Sequence, residues 1–426
     1  MRRVATLTLA ATVAVGVLGS PVGSASAQTV RQVFEKVTPS VVVIRARGRE
    51  VTASGQTRYT ETGSGVLVSK DGKVMTASHV VHALDEISVE FVGGETVTAR
   101  IVASEPAADL SLLQLDRVPP GASAAPMADT NTVRVGDPVI VVGAPYGLSY
   151  ALSVGHISAR WAPNTVYPTM PLAEFFQTDA VINTGNSGGP MFNMKGEVIG
   201  IVSHNISKSG GSEGLGFVVT LNTAKELLLE KKSFWSGLEG FQLSDQLADI
   251  LNIPGRQTGF IVKTVAKDSP GDRIGLRGAT MLVTIEGQSV PLGGDIVLSV
   301  EGLPATAANL AKIREAMSRL SSGAPFKVTI LRAGEVLHLT GRAPRDEKDQ
   351  HSLAAGGAGR LAADGLDPGA RPGRLQGRGA GTARGSHRPV PRPAGGAGTH
   401  GLHLSAGHRP GGAFREGECP NSRVTS

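Results

Sequence analysis

Hydrophobic positions fall in short runs separated by glycine, aspartate and proline. Strand-like runs cover Ser40–Ala46, Gly65–Ser69, Ile87–Val92, Val97–Val102 and Leu110–Leu115, then Val139–Gly143 and Ala151–Ala159. Short strands with turn residues between them are the signature of a barrel or a sandwich. Pro119 to Pro126 divides the series into two halves, the second starting near Val133. Gly48 to Thr60 is polar and reads as a mobile loop. Three stretches read as helical instead: Thr29–Val37, Thr223–Lys232 and Ala307–Leu320, the last with Leu310, Ile313, Met317 and Leu320 at helical spacing.

The bulk composition refines this pattern. A chain of 426 residues holds more than one domain, and 4% aromatic residues with 56 glycines suit small-residue β domains. The single cysteine, Cys419, excludes an intrachain disulfide. The net charge of +6 is a property of one end: residues 351–426 hold ten Arg, no Lys and four acidic residues, leaving 32 basic and 32 acidic elsewhere. The folded body is therefore neutral and carries no nucleic-acid signal. The same 76 residues contain 18 Gly, 12 Ala and 7 Pro, too little apolar surface to offset the entropy of ordering. Residues 345–426 are expected to be a disordered tail, and an out-of-frame extension explains their composition better than a functional basic tail does. At the other end, Met1-Arg2-Arg3, the apolar run Val4 to Leu18 and Ala25-Ser26-Ala27 form a signal peptide over residues 1–27. An uncleaved anchor fits the same residues. Cleavage leaves no stable membrane span, and this signal, together with the family resemblance that the motifs below carry, implies a bacterial setting, periplasmic or secreted.

The chemistry centres on Gly185-Asn186-Ser187-Gly188-Gly189-Pro190. Glycines around a serine expose its hydroxyl and aim backbone N–H groups at one point. The N–H groups of Gly185 and Ser187 form an oxyanion hole, in which one donor contributes about 3 kcal/mol to the transition state. Upstream, Thr76-Ala77-Ser78-His79-Val80-Val81 offers a base, and Asp109, heading the run Leu110–Leu115, offers an orienting carboxylate. His82 competes with His79, and Asp85, Asp116 and Asp129 compete with Asp109. The order His79, Asp109, Ser187 is one of the known orders of a Ser-His-Asp triad. Activity through such a base is expected to rise with pH near the ordinary histidine value of about 6.5.

These stretches, with Gly63-Ser64-Gly65, Gln177-Thr178-Asp179-Ala180 and Gly214-Leu215-Gly216-Phe217, resemble the HtrA/Deg family of trypsin-like serine proteases. The resemblance spans about residues 30 to 230, and a second block continues to about 340. It implies a mainly β chain: a chymotrypsin-like double six-stranded β-barrel over 28–232, then a PDZ domain over 238–344, joined by Ser233–Gly237. Ser187 is then the nucleophile, His79 the base and Asp109 the orienter, with neither metal nor cofactor. In the trypsin-like fold the specificity pocket has Val181 at its floor and Ser203, His204 and Asn205 along one wall. Without a charge at Val181, cleavage follows small aliphatic residues. Asn186 is neutral where digestive relatives carry an aspartate, so activation by propeptide cleavage has no electrostatic basis. In the PDZ block, Gly259, Phe260, Ile261 and Val262 resemble the loop and strand that hold a C-terminal peptide. The implied function is degradation of unfolded or damaged exported proteins, by a homotrimer or larger assembly. The alternative is a proteolytically inactive peptide-binding chaperone or scaffold.

Overall fold

The computed structural model describes residues 28–147, 150–207, 212–231, 233–253, 259–285 and 287–343; the signal peptide and the tail expected from the sequence lie outside them. Helix α1 (Val30–Val37) opens the described chain. Thr29 and Gln32 cap it reciprocally, each side chain accepting from the other's backbone N–H, and it buries Val33 and Val37.

Six strands follow: β1 (Val41–Thr52), β2 (Gly55–Leu67), β3 (Lys73–Thr76), β4 (Glu86–Glu90), β5 (Thr96–Glu105) and β6 (Leu110–Leu115). They close into an antiparallel barrel in the order β1-β2-β3-β6-β5-β4, with the short helix α2 (Ser78–Val81) between β3 and β4. The next six are β7 (Pro138–Gly143), β8 (Ala151–Trp161), β9 (Phe175–Thr178), β10 (Pro190–Asn193), β11 (Val198–Asn205) and β12 (Gly216–Thr220). They close in the same pattern, β7-β8-β9-β12-β11-β10, so the chain builds one barrel design twice. Closure leaves neither barrel an unpaired edge. Ile44, Leu67 and Leu113 fill the first barrel, and Ile157, Phe176 and Met191 the second. A third cluster joins them, with Val41, Met75 and Leu110 of the first barrel packed with Ile140, Phe175 and Phe217 of the second. Helix α3 (Leu221–Lys225), continued by a wider turn over Glu226–Glu230, adds Leu221, Ala224 and Leu228 to that cluster.

The sequence reads Gly48–Thr60 as a mobile loop; the structure makes it the outer part of the β1–β2 hairpin, paired continuously from Val41↔Val66 to Thr52↔Gly55. Its residues are polar because the hairpin extends beyond the barrel, and Val, Thr and Tyr in it favour strand regardless of burial. The Gln56 side chain near its tip donates to the Ala279 carbonyl at 2.9 Å.

Beyond the barrels lies a separate sheet. Strands β13 (Leu238–Gln242), β14 (Phe260–Val265), β15 (Met281–Ile285), β16 (Gln288–Leu292), β17 (Ile296–Val300), β18 (Leu303–Pro304), β19 (Pro325–Arg332) and β20 (Glu335–Arg342) follow in chain order. The main sheet runs β13-β14-β17-β19-β20, with β18 paired to β17, while β15 and β16 form a separate two-stranded hairpin. Helices α4 (Asp245–Ile250), α5 (Pro270–Arg273) and α6 (Leu310–Ser318) complete this part. The fully buried Asp295 carboxylate accepts from Arg332 Nε–H and Nη2–H, at 2.7 Å each, and from Arg277 N–H at 2.8 Å. Such a bidentate pair satisfies the buried carboxylate.

The stretch Ser233–Gly237, expected as a linker, is tied to the first barrel. Trp235 donates its indole N–H to the His82 carbonyl at 2.9 Å, and the Ser233 hydroxyl donates to Ser104 at 3.2 Å. Among the described residues no helix is long and apolar enough to cross a membrane.

Candidate active site

Asp109 heads β6 in the left-handed region, φ 54°, where a short polar side chain is tolerated better than most. It ends a 3-10 turn, Pro106–Ala108, whose start is capped by the Glu105 carboxylate accepting from Ala107 N–H at 3.3 Å. The Asp109 carboxylate is buried and multiply held. Ser78 Oγ and His79 N–H donate to Oδ1, each at 3.1 Å. His79 Nδ1 lies 2.9 Å from Oδ1 and 3.0 Å from Oδ2, and Ser203 Oγ donates to Oδ2. Burial alone would push this carboxyl up; the bonds and charge of His79 and the Ser203 hydroxyl outweigh it, and its pKa is lowered. For His79 the same pair works in reverse. Burial opposes the charged ring, Asp109 favours it more strongly, and the net shift is upward.

Of the expected competitors, His82 is engaged elsewhere. Its Nδ1 pairs with Ser104 Oγ at 2.8 Å and its Nε2–H donates to the Leu238 carbonyl at 3.0 Å. Asp85 pairs with Arg49 and accepts from Lys267 N–H.

Ser187 arrives from the second barrel on the turn before β10. Two glycines make this turn possible. Gly185 has φ +98°, and a Cβ there would lie 2.2 Å from the Ala144 carbonyl oxygen. Gly188 has φ +80°, and a Cβ there would lie 2.1 Å from Thr76 Oγ1 and 2.4 Å from the Ser64 carbonyl oxygen. Ser64, in a stretch the sequence marks without a role, pins the turn: its hydroxyl donates to Gly185 O at 2.7 Å and accepts from Ala144 N–H at 2.9 Å. Its N–H donates to Ser187 O at 2.8 Å. Among the described residues, the N–H groups of Gly185 and Ser187 have no protein acceptor. The Ser187 hydroxyl does not meet His79; it donates to the Ser203 carbonyl at 3.2 Å.

The expected pocket is partly corrected. Val181 is 49% exposed and is no closed floor; its neighbour Ile182 is the buried one, its δ-carbon against Gly216. Asn205 Nδ2 donates to Ile182 O at 3.2 Å. Ser203 and His204 do not serve as plain wall residues. The pairing of β11 with β12 slips between Val202 and His204, a bulge that turns the Ser203 hydroxyl to Asp109. The His204 ring packs with Tyr167, Phe175 and Phe217, at 4.0, 5.9 and 5.9 Å between centroids. Its Nδ1 lies 2.8 Å from Ser203 Oγ, and burial pushes its pKa down to about 4. Among the described residues no group of three His, Cys, Asp or Glu side chains is placed to hold a metal.

The expected peptide edge at Gly259–Val262 is also corrected. Strand β14 is paired on both sides, Ile261 with Phe241 of β13 and with Ile296 of β17, and Gly259 O already accepts from Leu243 N–H. An added strand has no free backbone there. Among the described residues β13 stands at one end of this sheet and pairs with β14 alone, so its outer edge faces no strand. A cavity of about 440 Å³ touches β13 at Leu238 and Gly240, β14 at Phe260, and α6 at Leu310, Ile313 and Met317. The first barrel closes this cavity with His82 on Leu238 O and with Glu105, whose carboxylate pairs with Arg314 of α6 at 3.3 Å. The edge was missed because Leu238–Gln242 is short and lacks the alternation that marks a strand.

The region matching a described family runs over residues 63–201, and that family is the trypsin-like peptidase domain. Similar chains include probable periplasmic serine endoproteases, DegP-like, of Hahella chejuensis (strain KCTC 2396) and Pseudomonas putida (strain W619). Each is 31% identical, over 69% of this chain and 60% of the Hahella relative, and over 75% of this chain and 62% of the Pseudomonas one. The chain thus spans about three fifths of the length of these curated relatives. Among solved structures, the HtrA-type protease AlgW with decapeptide is 27% identical, covering 73% of this chain and 97% of AlgW, with a TM-score of 0.42. The twin barrels define a trypsin-like peptidase fold. The chain belongs to the HtrA family of trypsin-like serine proteases.

Proposed function

We propose that the protein is a serine endopeptidase acting on unfolded or damaged polypeptides outside the cytoplasm. Ser187 is the nucleophile, His79 the base and then the acid, and Asp109 the orienter. The observation that carries this reading is the His79 ring held through Nδ1 by a buried carboxylate, leaving Nε2 for a hydroxyl. For reaction, Ser187 Oγ leaves the Ser203 carbonyl and gives its proton to His79 Nε2 as it attacks the substrate carbonyl. Asp109 stabilises the imidazolium that forms. The Gly185 and Ser187 N–H groups receive the developing oxyanion. His79 then returns the proton to the leaving amine. Ile182 against Gly216 supports a shallow apolar pocket, and so cleavage after Val, Ala or Ile. The names of the relatives support a periplasmic setting.

The sheet beyond the barrels is read as a PDZ-like module that takes a C-terminal peptide along β13, opposite α6. Such strand addition draws affinity from backbone hydrogen bonds and specificity from the apolar groove. A homotrimer or larger assembly belongs to the same reading. One observation favours the rival, a peptide binder without proteolysis: the Ser187 hydroxyl rests on Ser203 and not on His79.

Labelling with a serine-reactive phosphonate, followed by mapping of the adduct, separates the two. The peptidase reading expects one adduct, at Ser187. Absence of that adduct with an unfolded protein present overturns it in favour of the rival.

A further inference from the structure

Ser203 has one hydroxyl proton and two partners, Asp109 Oδ2 and His204 Nδ1. The carboxylate, ionised, can only accept, so the proton goes to Asp109. His204 Nδ1 must then carry its own hydrogen and donate it to Ser203 Oγ. This fixes the tautomer of His204 as neutral, protonated on Nδ1. Two further observations agree. Among the described residues His204 Nε2 is buried without a partner, next to aromatic rings, a setting a bare lone pair tolerates better than an N–H would. Burial also resists any second proton on this ring.

We infer that His204 is a positioning residue for the reaction: through Ser203 it holds Asp109 in the orientation that His79 requires. This rests on the peptidase reading above. Without the Nδ1–H donor, nothing holds the fully buried Ser203 hydroxyl against rotating away from Asp109 toward the backbone around it. With it, one of the oxygen's two lone pairs is engaged, which narrows the proton's choices and favours Asp109 as its acceptor. The pairing slip at Ser203 lies between these two consecutive residues of β11, where His204 Nδ1 meets Ser203 Oγ and Ser203 Oγ meets the carboxylate. Chained hydrogen bonds of this kind also polarise one another, so the donation to Asp109 strengthens. His204 touches neither Ser187 nor His79 through a hydrogen bond, and its effect passes through Ser203 alone.

Two replacements separate this role from mere packing. His204→Phe keeps a ring in the aromatic box and removes the donor. His204→Asn keeps an N–H near the Nδ1 position and leaves a void. Positioning expects kcat to fall about tenfold in His204→Phe at nearly unchanged KM, with His204→Asn retaining more turnover despite a lower Tm. Packing expects the opposite order, and equal turnover in the two variants likewise overturns the proposal. A double-mutant cycle adds a second measure. In a Ser203→Ala background, His204→Phe should change kcat no further; a full additional loss there means His204 does not act through Ser203. Phosphonate labelling of wild-type Ser187 runs alongside. Its failure would defeat the peptidase reading itself, whereas labelling of the wild type with unaltered kcat in His204→Phe defeats only this inference.

Discussion

Asp109, supplied by the first barrel, accepts from Ser78 Oγ, His79 N–H, His79 Nδ1 and Ser203 Oγ. Ser187, supplied by the second, makes one side-chain bond of 3.2 Å, to a carbonyl that takes no part in proton transfer. The same barrel design thus delivers one half of the site locked and the other half free to turn. The locked half must hold a buried charge, and a buried charge is stable only when its oxygens are satisfied. The free half must move a hydroxyl between two acceptors within each turnover, so tight bonding would oppose it. Preorganisation is concentrated where charge sits.

Replacing each half tests this asymmetry. Ser187→Ala is expected to lower turnover about a millionfold, as removal of a triad nucleophile does elsewhere. Because only one weak bond is lost, its Tm should match the wild type; a large fall in Tm would mean Ser187 is structurally committed after all. Asp109→Asn is expected to cost about 10⁴ in turnover and also to destabilise, since several donors lose their anion. Equal melting of Asp109→Asn and Ser187→Ala, followed by calorimetry, would break the comparison.

The acid limb of kcat/KM sharpens it further. His79 works as a base only when neutral, and Asp109 raises its pKa, so activity should climb with pH through a midpoint above the ordinary value of about 6.5. The sequence alone gave no reason to expect that displacement. A midpoint at or below 6.5 would show that Asp109 holds His79 less firmly than its geometry indicates.

The smallest expected effect concerns His82. Burial lowers its pKa, and the neutral ring donates to Leu238 O. A histidine with a depressed folded pKa contributes stability that is complete above about 6.5 and is lost as pH falls through that value toward the folded pKa. His82→Gln keeps a donor and does not titrate. Wild type should therefore lose about 2–4 °C in Tm relative to His82→Gln on moving from neutral to acidic buffer. Parallel Tm curves across that range would show that the His82 contact does not couple to protonation.

Much of this was legible before any coordinates. Strand runs bounded by glycine and aspartate located most of the barrel strands, and the glycines around Ser187 marked its turn. What escaped notice shares a physical cause. The outer β1–β2 hairpin is mostly polar, with Val51 as a lone buried aliphatic in its β1 arm, so hydrophobic alternation cannot reveal it. The tie from Ser203 to Asp109 depends on a one-residue slip in pairing, which leaves no trace in composition. The β13 edge depends on which strand ends a sheet, a matter of long-range order. Val181 and Ile182 are adjacent apolar residues, and only the fold decides which of them turns inward.

Gly188 carries a consequence for how this molecule tolerates change. A single methyl group at that position would strike Thr76, Ser64 and Ala77, all from the opposite barrel. In a library of every single substitution scored for cellular abundance and for proteolysis, positions 187 and 188 would look alike on the second score and differ on the first. Replacements of Ser187 accumulate as intact, silent protein. Replacements of Gly188 disappear, because the seam between the barrels cannot shut around one more carbon.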